Sequence, residues 1–278
     1  MTESREFWRH PHFRDLGLLK ARFTHHRYDL HTHPTYVVAL ITQGAERVRI
    51  GGRCAVAPAG TVIVVNPEEC HDGEPGADGG WAYRTFYPSV SLLMSVAREL
   101  GQDRVPLFPR AFINDRELAD AIAGAHAGSV SGDAMAAESS MLIALRQLVL
   151  RHGDLDRRGV PLETSGSRRR LLVYRQIVED DLAAELTLER LAGAVGVTRF
   201  QVIRDFKKET GLTPSAFIRN CRARRAGCLI EQGLSLIDAS IAAGFSDQSH
   251  LSRTFRGVHG ITPRMFQDIW FGGRSVSA

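Results

Sequence analysis

The chain has 278 residues, 44% of them hydrophobic and 24% charged, the balance of a folded chain long enough for about two domains. No apolar run approaches the roughly 20 residues that cross a bilayer. The opening MTESREFWRH also lacks the apolar stretch and small-residue cleavage site of a secretory signal. The expected location is the cytoplasm, and Cys54, Cys70, Cys221 and Cys228, scattered without a CxxC pair, read as small buried residues of a reducing compartment.

Residues 28–87 read as short strands. YVVALIT and AERVRI are followed by Gly51–Gly52, a two-residue hairpin turn, and by RCAVA. Pro58-Ala59-Gly60 turns the chain into TVIVV, Asn66-Pro67 turns it again before His71, and WAYRTFY is a further strand. Strands this short and close suggest a small barrel or sandwich. Residues 89–151 then take helical spacing in SLLMSVAREL, RELADAIAGAHAG and AMAAESSMLIALRQLVLRH; in the last, Met135, Leu142, Leu145 and Val149 form an apolar stripe. Residues 152–167 read as a linker rich in Gly, Ser and mixed charge.

Charge is unevenly divided along the chain. Residues 1–167 carry 18 Lys and Arg against 20 Asp and Glu, whereas residues 168–278 carry 17 against 11, so the C-terminal part is the one suited to a polyanion. That part contains an internal repeat. FKKETGLTPSAF at 206–217 aligns with FRGVHGITPRMF at 255–266 at a constant offset of 49, and Arg204 and Lys207 align with Arg253 and Arg256 at the same offset. Each unit has helix-turn-helix punctuation. Thr187 caps LERLAGAV, Gly196 supplies the turn, and Thr198 with Gln201 forms a capping box for a second helix that buries Val202 and Phe206. In the second unit Ser235, Gly244 and Ser246 take these places, and Leu251 and Phe255 are buried. Thr213–Pro214 and Thr262–Pro263 each start a further helix. Two such units in register on a basic segment point to DNA binding.

Residues from about 172 to 271, with GFSDQSHLSRTFRGVHGITPRMF at 244–266, resemble the DNA-binding domain of the AraC/XylS family of bacterial transcription regulators. The resemblance implies two helix-turn-helix units joined by a long helix, their second helices entering successive major-groove segments. By position, Phe200, Ile203, Arg204, Gln248, Ser249 and Arg253 would face bases, while Thr198, Lys207, Lys208, Ser246 and Arg256 would hold phosphates. Residues of about 31–88 resemble the cupin-type sensor domain found in that family. His31-Thr32-His33 is similar to the first cupin motif, and NPEECH, ending at His71, falls where the second places its histidine. The usual acidic ligand of the first motif would stand near Val37 or Val38 and is absent. The preferred reading makes His31, His33 and His71 part of an organic-effector pocket with Tyr36, Trp81, Tyr83 and Arg84, with no metal and no cofactor; a transition-metal site and plain core histidines are the alternatives.

The fold expected is α+β in two domains. A cupin-like barrel with following helices over 1–151 binds effector and dimerises, and an all-α DNA-binding domain occupies 168–278. The function expected is sequence-specific transcription regulation without catalysis, with double-stranded DNA, a small-molecule effector and a second copy of the chain as partners and no membrane. A metal-dependent cupin enzyme fused to a DNA-binding module is the competing reading.

Overall fold

A computed structural model describes residues 3–13, 15–154, 166–184, 186–272 and 276–277; most of the expected linker at 152–167 lies outside them. The chain divides into two compact units. One comprises Met1–Arg27, Thr32–Arg158 and Arg274–Ala278; the other comprises Gly159–Gly273 and the short strand Tyr28–His31.

The first unit is built on one sheet. Its strands are β1 (Ser4–Arg9), β2 (Gly17–Phe23), β4 (Val37–Ile50), β5 (Arg53–Pro58), β6 (Val62–Val65), β7 (His71–Pro75), β8 (Trp81–Tyr87) and the two-residue β9 (Phe112–Ile113), β3 being the strand Tyr28–His31 of the other unit. The order β1-β2-β8-β4-β6-β9 forms the main path, while β5 and β7 pair with β4. The two segments YVVALIT and AERVRI are thus one long strand. Its N-terminal half pairs with β6 and β8, its C-terminal half with β5 and β7, and the register against β8 shifts between Ile41 and Gln43. Gly44 completes this corner at φ 65°, where an added Cβ would lie 2.1 Å from the Gly80 carbonyl oxygen. The Gly51–Gly52 turn joins Ile50 to Arg53 with both φ values positive, as a two-residue hairpin requires. Strands β1 and β2 were not expected from the pattern; β2 pairs along its whole length with β8.

Three helices cover one face of this sheet: α1 (Val90–Glu99), α2 (Arg116–Gly128) and α3 (Ala134–His152), N-capped by Ser89, Asp115 and Asp133. Trp8, Leu18, Val38, Leu40, Val64 and Phe86 pack there against Leu93, Val96, Ile122, Met141, Leu145 and Leu148, each burial favouring the folded chain by about 1.5–3 kcal/mol. The stripe expected on α3 divides. Leu145 and Val149 are buried, Leu142 is half-buried, and Met135 is 78% exposed, because the core lies one helical row away, along Ala137, Met141, Ala144 and Leu148.

The second unit carries α4 (Gly166–Asp180), α5 (Leu188–Val195), α6 (Arg199–Thr210), α7 (Pro214–Glu231), α8 (Leu236–Ala242), α9 (Gln248–His259) and α10 (Pro263–Gly272). The repeat is kept in packing as well as in sequence. Phe206 meets Phe217 at 5.2 Å between ring centroids, and their counterparts Phe255 and Phe266 meet at 5.4 Å. Helix α7, 18 residues long, spans about 27 Å as a rigid rod and follows the first helix-turn-helix pair directly.

Candidate nucleic-acid interface and sensor site

Helices α6 and α9 each present one polar or uncovered stripe. On α6, Phe200, Arg204 and Lys207 are exposed and Ile203 is half-buried; these positions follow the i, i+3, i+4, i+7 spacing of one helix face. On α9 the same face, 49 residues on, is Ser249, Ser252, Arg253 and Arg256, all exposed except the half-buried Ser252. Ser252 was missed in the sequence, although the repeat offset from Ile203 points to it. Gln248 is exposed in the first turn of α9. Phe200 is 75% exposed, an unusual place for an aromatic ring.

The caps differ in detail from expectation. Thr198 does cap α6, its Oγ1 accepting from the Gln201 amide N–H at 3.2 Å. The Gln201 side chain, however, does not turn back to close the box. It donates to Asp205 Oδ1 at 2.7 Å and accepts from Arg204 Nη2 at 2.8 Å. Helix α9 is capped by Asp247, which accepts from the His250 N–H at 2.7 Å, not by Ser246; the carboxylate is the better acceptor there, and the Ser246 hydroxyl donates to it at 3.0 Å. Thr198, Ser246, Lys207, Lys208 and Arg256 all remain exposed, and Lys208 Nζ also donates to Ser167 Oγ at 3.2 Å.

Buried polar bonds hold α6 in place. Asp205 is 1% exposed and accepts from Arg170, Gln201 and Tyr174; the Arg170 guanidinium above all keeps its carboxyl below the usual range. Helix α7 is fixed to the α4–α5 loop by Arg222, whose Nε donates to Leu182 O at 2.9 Å and whose Nη2 donates to Ala184 O at 3.1 Å.

In the first unit the strand alternation of β8 sorts the expected pocket residues onto two faces. Tyr36 and Arg84 leave the proposed pocket. Tyr36 is fully buried in the core under the helices, its hydroxyl donating to Pro106 O at 2.6 Å, and Arg84 donates to Ala123 O of α2 at 3.1 Å. Trp81 and Tyr83 point to the other face, stacked at 6.3 Å beside Phe23. Two neighbours on that alternation, Thr85 and Tyr87, were not singled out in the sequence. Tyr87 lies 5.7 Å from the His33 ring, and the Thr85 hydroxyl and Trp81 Nε1 are buried with no hydrogen-bond partner among the described residues.

Of the three histidines, His33 and His71 lie together in the first unit, while His31 belongs to the strand assigned to the second. The His33 and His71 rings are 5.1 Å apart. His31 Nδ1 lies 2.6 Å from the Asp29 carbonyl oxygen and His71 Nδ1 lies 2.9 Å from that of Glu69. Burial keeps the His71 imidazole neutral to lower pH than usual. The loop before His71 is fixed by Glu68, which stands at φ 61° and donates its N–H to His33 O at 2.7 Å. No helix among the described residues is long and apolar enough to cross a membrane.

A sheet-built ligand-binding unit joined to paired helix-turn-helix units defines a DNA-binding transcription regulator with its own sensor. Residues 15–149 match the AraC-like ligand binding domain and residues 191–268 match a helix-turn-helix domain. The chain belongs to the AraC family of transcription regulators. It is 25% identical over 227 residues to the uncharacterized HTH-type transcriptional regulator YbfI of Bacillus subtilis, covering 81% of this chain and 82% of that one. It is 23% identical over 255 residues to the transcriptional activator RhaS of Klebsiella pneumoniae, covering 89% and 88%. Among solved structures, an apo form of ToxT from Vibrio cholerae matches 92% of this chain and 98% of its own with a TM-score of 0.56 at 11% identity, a likeness of fold. These comparisons do not support the cupin enzyme alternative.

Proposed function

We propose that this regulator is cytoplasmic and non-catalytic, and that it binds double-stranded DNA as a homodimer under the control of a small molecule held in the first unit. Residues 1–151 would sense and dimerise, and residues 168–278 would read DNA. The carrying observation is the pair of matching stripes, Phe200, Ile203, Arg204 and Lys207 on α6 and Ser249, Ser252, Arg253 and Arg256 on α9, at one constant offset. Arg204 and Arg253 suit bidentate contact with guanine. Phe200 and Ile203 suit thymine methyl groups, and Gln248 and Ser249 suit base edges. Lys207, Arg256, Thr198 and Ser246 suit phosphates; Lys208 reaches a phosphate once released from Ser167.

The effector acts by favouring one arrangement of the chain over another, which requires different affinities for the two. ToxT has been solved bound to an unsaturated fatty acid, which supports a small organic effector here.

The homodimer reading rests on α3. Its uncovered row is Met135, Ser139, Ile143, Arg146 and Leu150, all exposed. Antiparallel pairing with a second copy about the midpoint of Leu142 and Ile143 sets Met135 against Leu150 and Ser139 against Arg146. Apolar then meets apolar, and a hydroxyl that can accept meets a guanidinium that donates. The row is thus self-complementary, as a two-fold interface requires.

Fluorescence anisotropy of the full chain on DNA selected from a random pool tests the DNA-binding part. Affinity is expected to fall by roughly a thousandfold between 50 and 200 mM salt, through counterion release; a flat response contradicts it.

A further inference from the structure

We propose that Glu46, on the inner face of the first unit's sheet, selects the effector: it takes a small amine whose ammonium pairs with its carboxylate while an oxygen of the same molecule accepts from Trp81 Nε1. The inference rests on the sensor reading above and names the chemical class of what that sensor holds.

Register places the two groups on one face. Gly44 on β4 stands opposite Trp81 on β8, and Glu46 follows two residues later, opposite Ala57 on β5 and Pro75 on β7. With a period of two, Glu46, Val48 and Ile50 share the face of Trp81 and Tyr83, turned away from the three helices. Glu46 lies about 7 Å along its strand from the residue opposite Trp81, a span that one small molecule bridges.

Neither group is satisfied within the unit. Glu46 is 8% exposed, and among the described residues no hydrogen bond or ion pair reaches its carboxyl. A carboxylate is almost never buried so far without a partner, because desolvation of its charge is then uncompensated. Trp81 Nε1 is buried and has no acceptor among the described residues. An unfilled acceptor and an unfilled donor define their complement, a cation with N–H groups and an oxygen.

Charge favours an amine over a neutral polyol. Desolvation, with the charge of Asp72 adding to it, pushes the Glu46 carboxyl up to about 8, and both influences are relieved by a cation beside it. Arg5, opposite Ala21 on β1, is engaged elsewhere: it donates to Glu3 at 3.2 Å and its guanidinium stands 5.0 Å over the Phe23 ring. Phe23, Trp81 and Tyr83 form an aromatic wall on this face, and such rings also attract an ammonium. The other charged or titratable groups that the register sets on this face are Arg9 on β1, Arg53 on β5, His71 on β7, and Tyr83 and Tyr87 on β8. His26 stacks on Phe23 at 4.5 Å.

The experiment uses the full chain without DNA, so that its outcome is independent of the DNA-binding reading. The twenty protein amino acids, tyramine and ethanolamine are screened by thermal shift, each beside its N-acetyl derivative, which keeps the oxygens and loses the cation. At least one amine should raise the melting temperature while its acetyl derivative does not. Calorimetric titration of that amine should show affinity rising roughly tenfold from pH 6 to 7 and levelling off above about pH 8, because the ammonium displaces a proton from Glu46. Glu46→Gln, of the same shape and uncharged, should weaken the amine by roughly tenfold or more and flatten this profile. That flattening assigns the slope to Glu46 and not to His26 or His71, and an undiminished melting temperature of the free variant separates a lost charge from a lost fold. No shift with any amine, an equal shift with its acetyl derivative, a flat profile in the parent, or affinity indifferent to Glu46→Gln overturns the proposal. A shift with neutral or anionic compounds alone overturns it while leaving the sensor reading in place.

Discussion

Arg170 on α4 grips both carboxylate oxygens of Asp205 on α6, Nε to Oδ2 at 2.7 Å and Nη2 to Oδ1 at 2.8 Å. The pair ties α6 to α4. Tyr174 and Gln201 donate to the same carboxylate, so every oxygen of a nearly inaccessible charge is satisfied. Asp205→Ala leaves Arg170 without its counter-charge and should cost about 3–5 kcal/mol in urea unfolding. Because the folded carboxyl has a lowered pKa, its stabilisation is complete above the unfolded value near ~3.9 and is lost as pH falls through the folded value. Equal unfolding midpoints for Asp205→Ala and the parent at pH 7 would contradict this.

Gly244 opens the second helix-turn-helix turn at φ 84°, and a Cβ there would meet Leu182 O at 2.3 Å and Arg222 Nε at 2.9 Å. Gly244→Ala should therefore destabilise by more than the roughly 1–2 kcal/mol of left-handed strain alone. Gly196, equally left-handed at φ 68° but with nothing within 4 Å of the added atom, should show the strain alone. Comparing the two alanine variants by thermal melting checks the difference.

His126 is buried between Trp8 and Phe86, with Nε2 3.2 Å from Leu19 O. Desolvation, aided by Arg84 and Lys20, lowers its pKa to about 4. The unfolded imidazole titrates near ~6.5, so the unfolded chain binds the extra proton between the two values. Stability contributed by neutral His126 is present above pH ~6.5 and falls away towards pH 4, by about 3 kcal/mol in all. His126→Gln should flatten that part of the stability–pH curve measured by chemical denaturation.

If α3 pairs with its copy, Ser139→Arg should set a second guanidinium against Arg146 of the other copy and weaken the dimer. Adding Arg146→Glu to that variant should restore it, since opposite charges then face each other across the two-fold axis. Sedimentation of the two variants reads the result, and identical monomer fractions throughout would dismiss this face.

Much of the second unit was legible because its signals are local. Gly196, Thr198, Thr213 and Pro214 act on their own turns, and the offset of 49 residues registers one unit on the other. The Asp205 hub was not legible, since its partners Arg170 and Tyr174 stand more than thirty residues away on another helix. In the first unit the strands with turns of Gly and Pro were read, but β1 and β2 were not, because SREFWR and GLLKARF do not alternate cleanly. Tyr36 and Arg84 were misplaced for a related reason: choosing aromatic and polar residues ignores the period of two, which puts Arg84 and Phe86 on one face of β8 and Trp81, Tyr83, Thr85 and Tyr87 on the other.

Selection of bound DNA from a random pool, run in parallel on the parent, Arg204→Ala and Arg253→Ala, tests the central claim that both recognition helices read bases. The parent should return a two-part site with parts about one helical turn, 10–10.5 base pairs, apart. Each variant should lose base preference in one part only, at a cost of about 1–3 kcal/mol. Two variants that return the parental site unchanged would contradict the assignment.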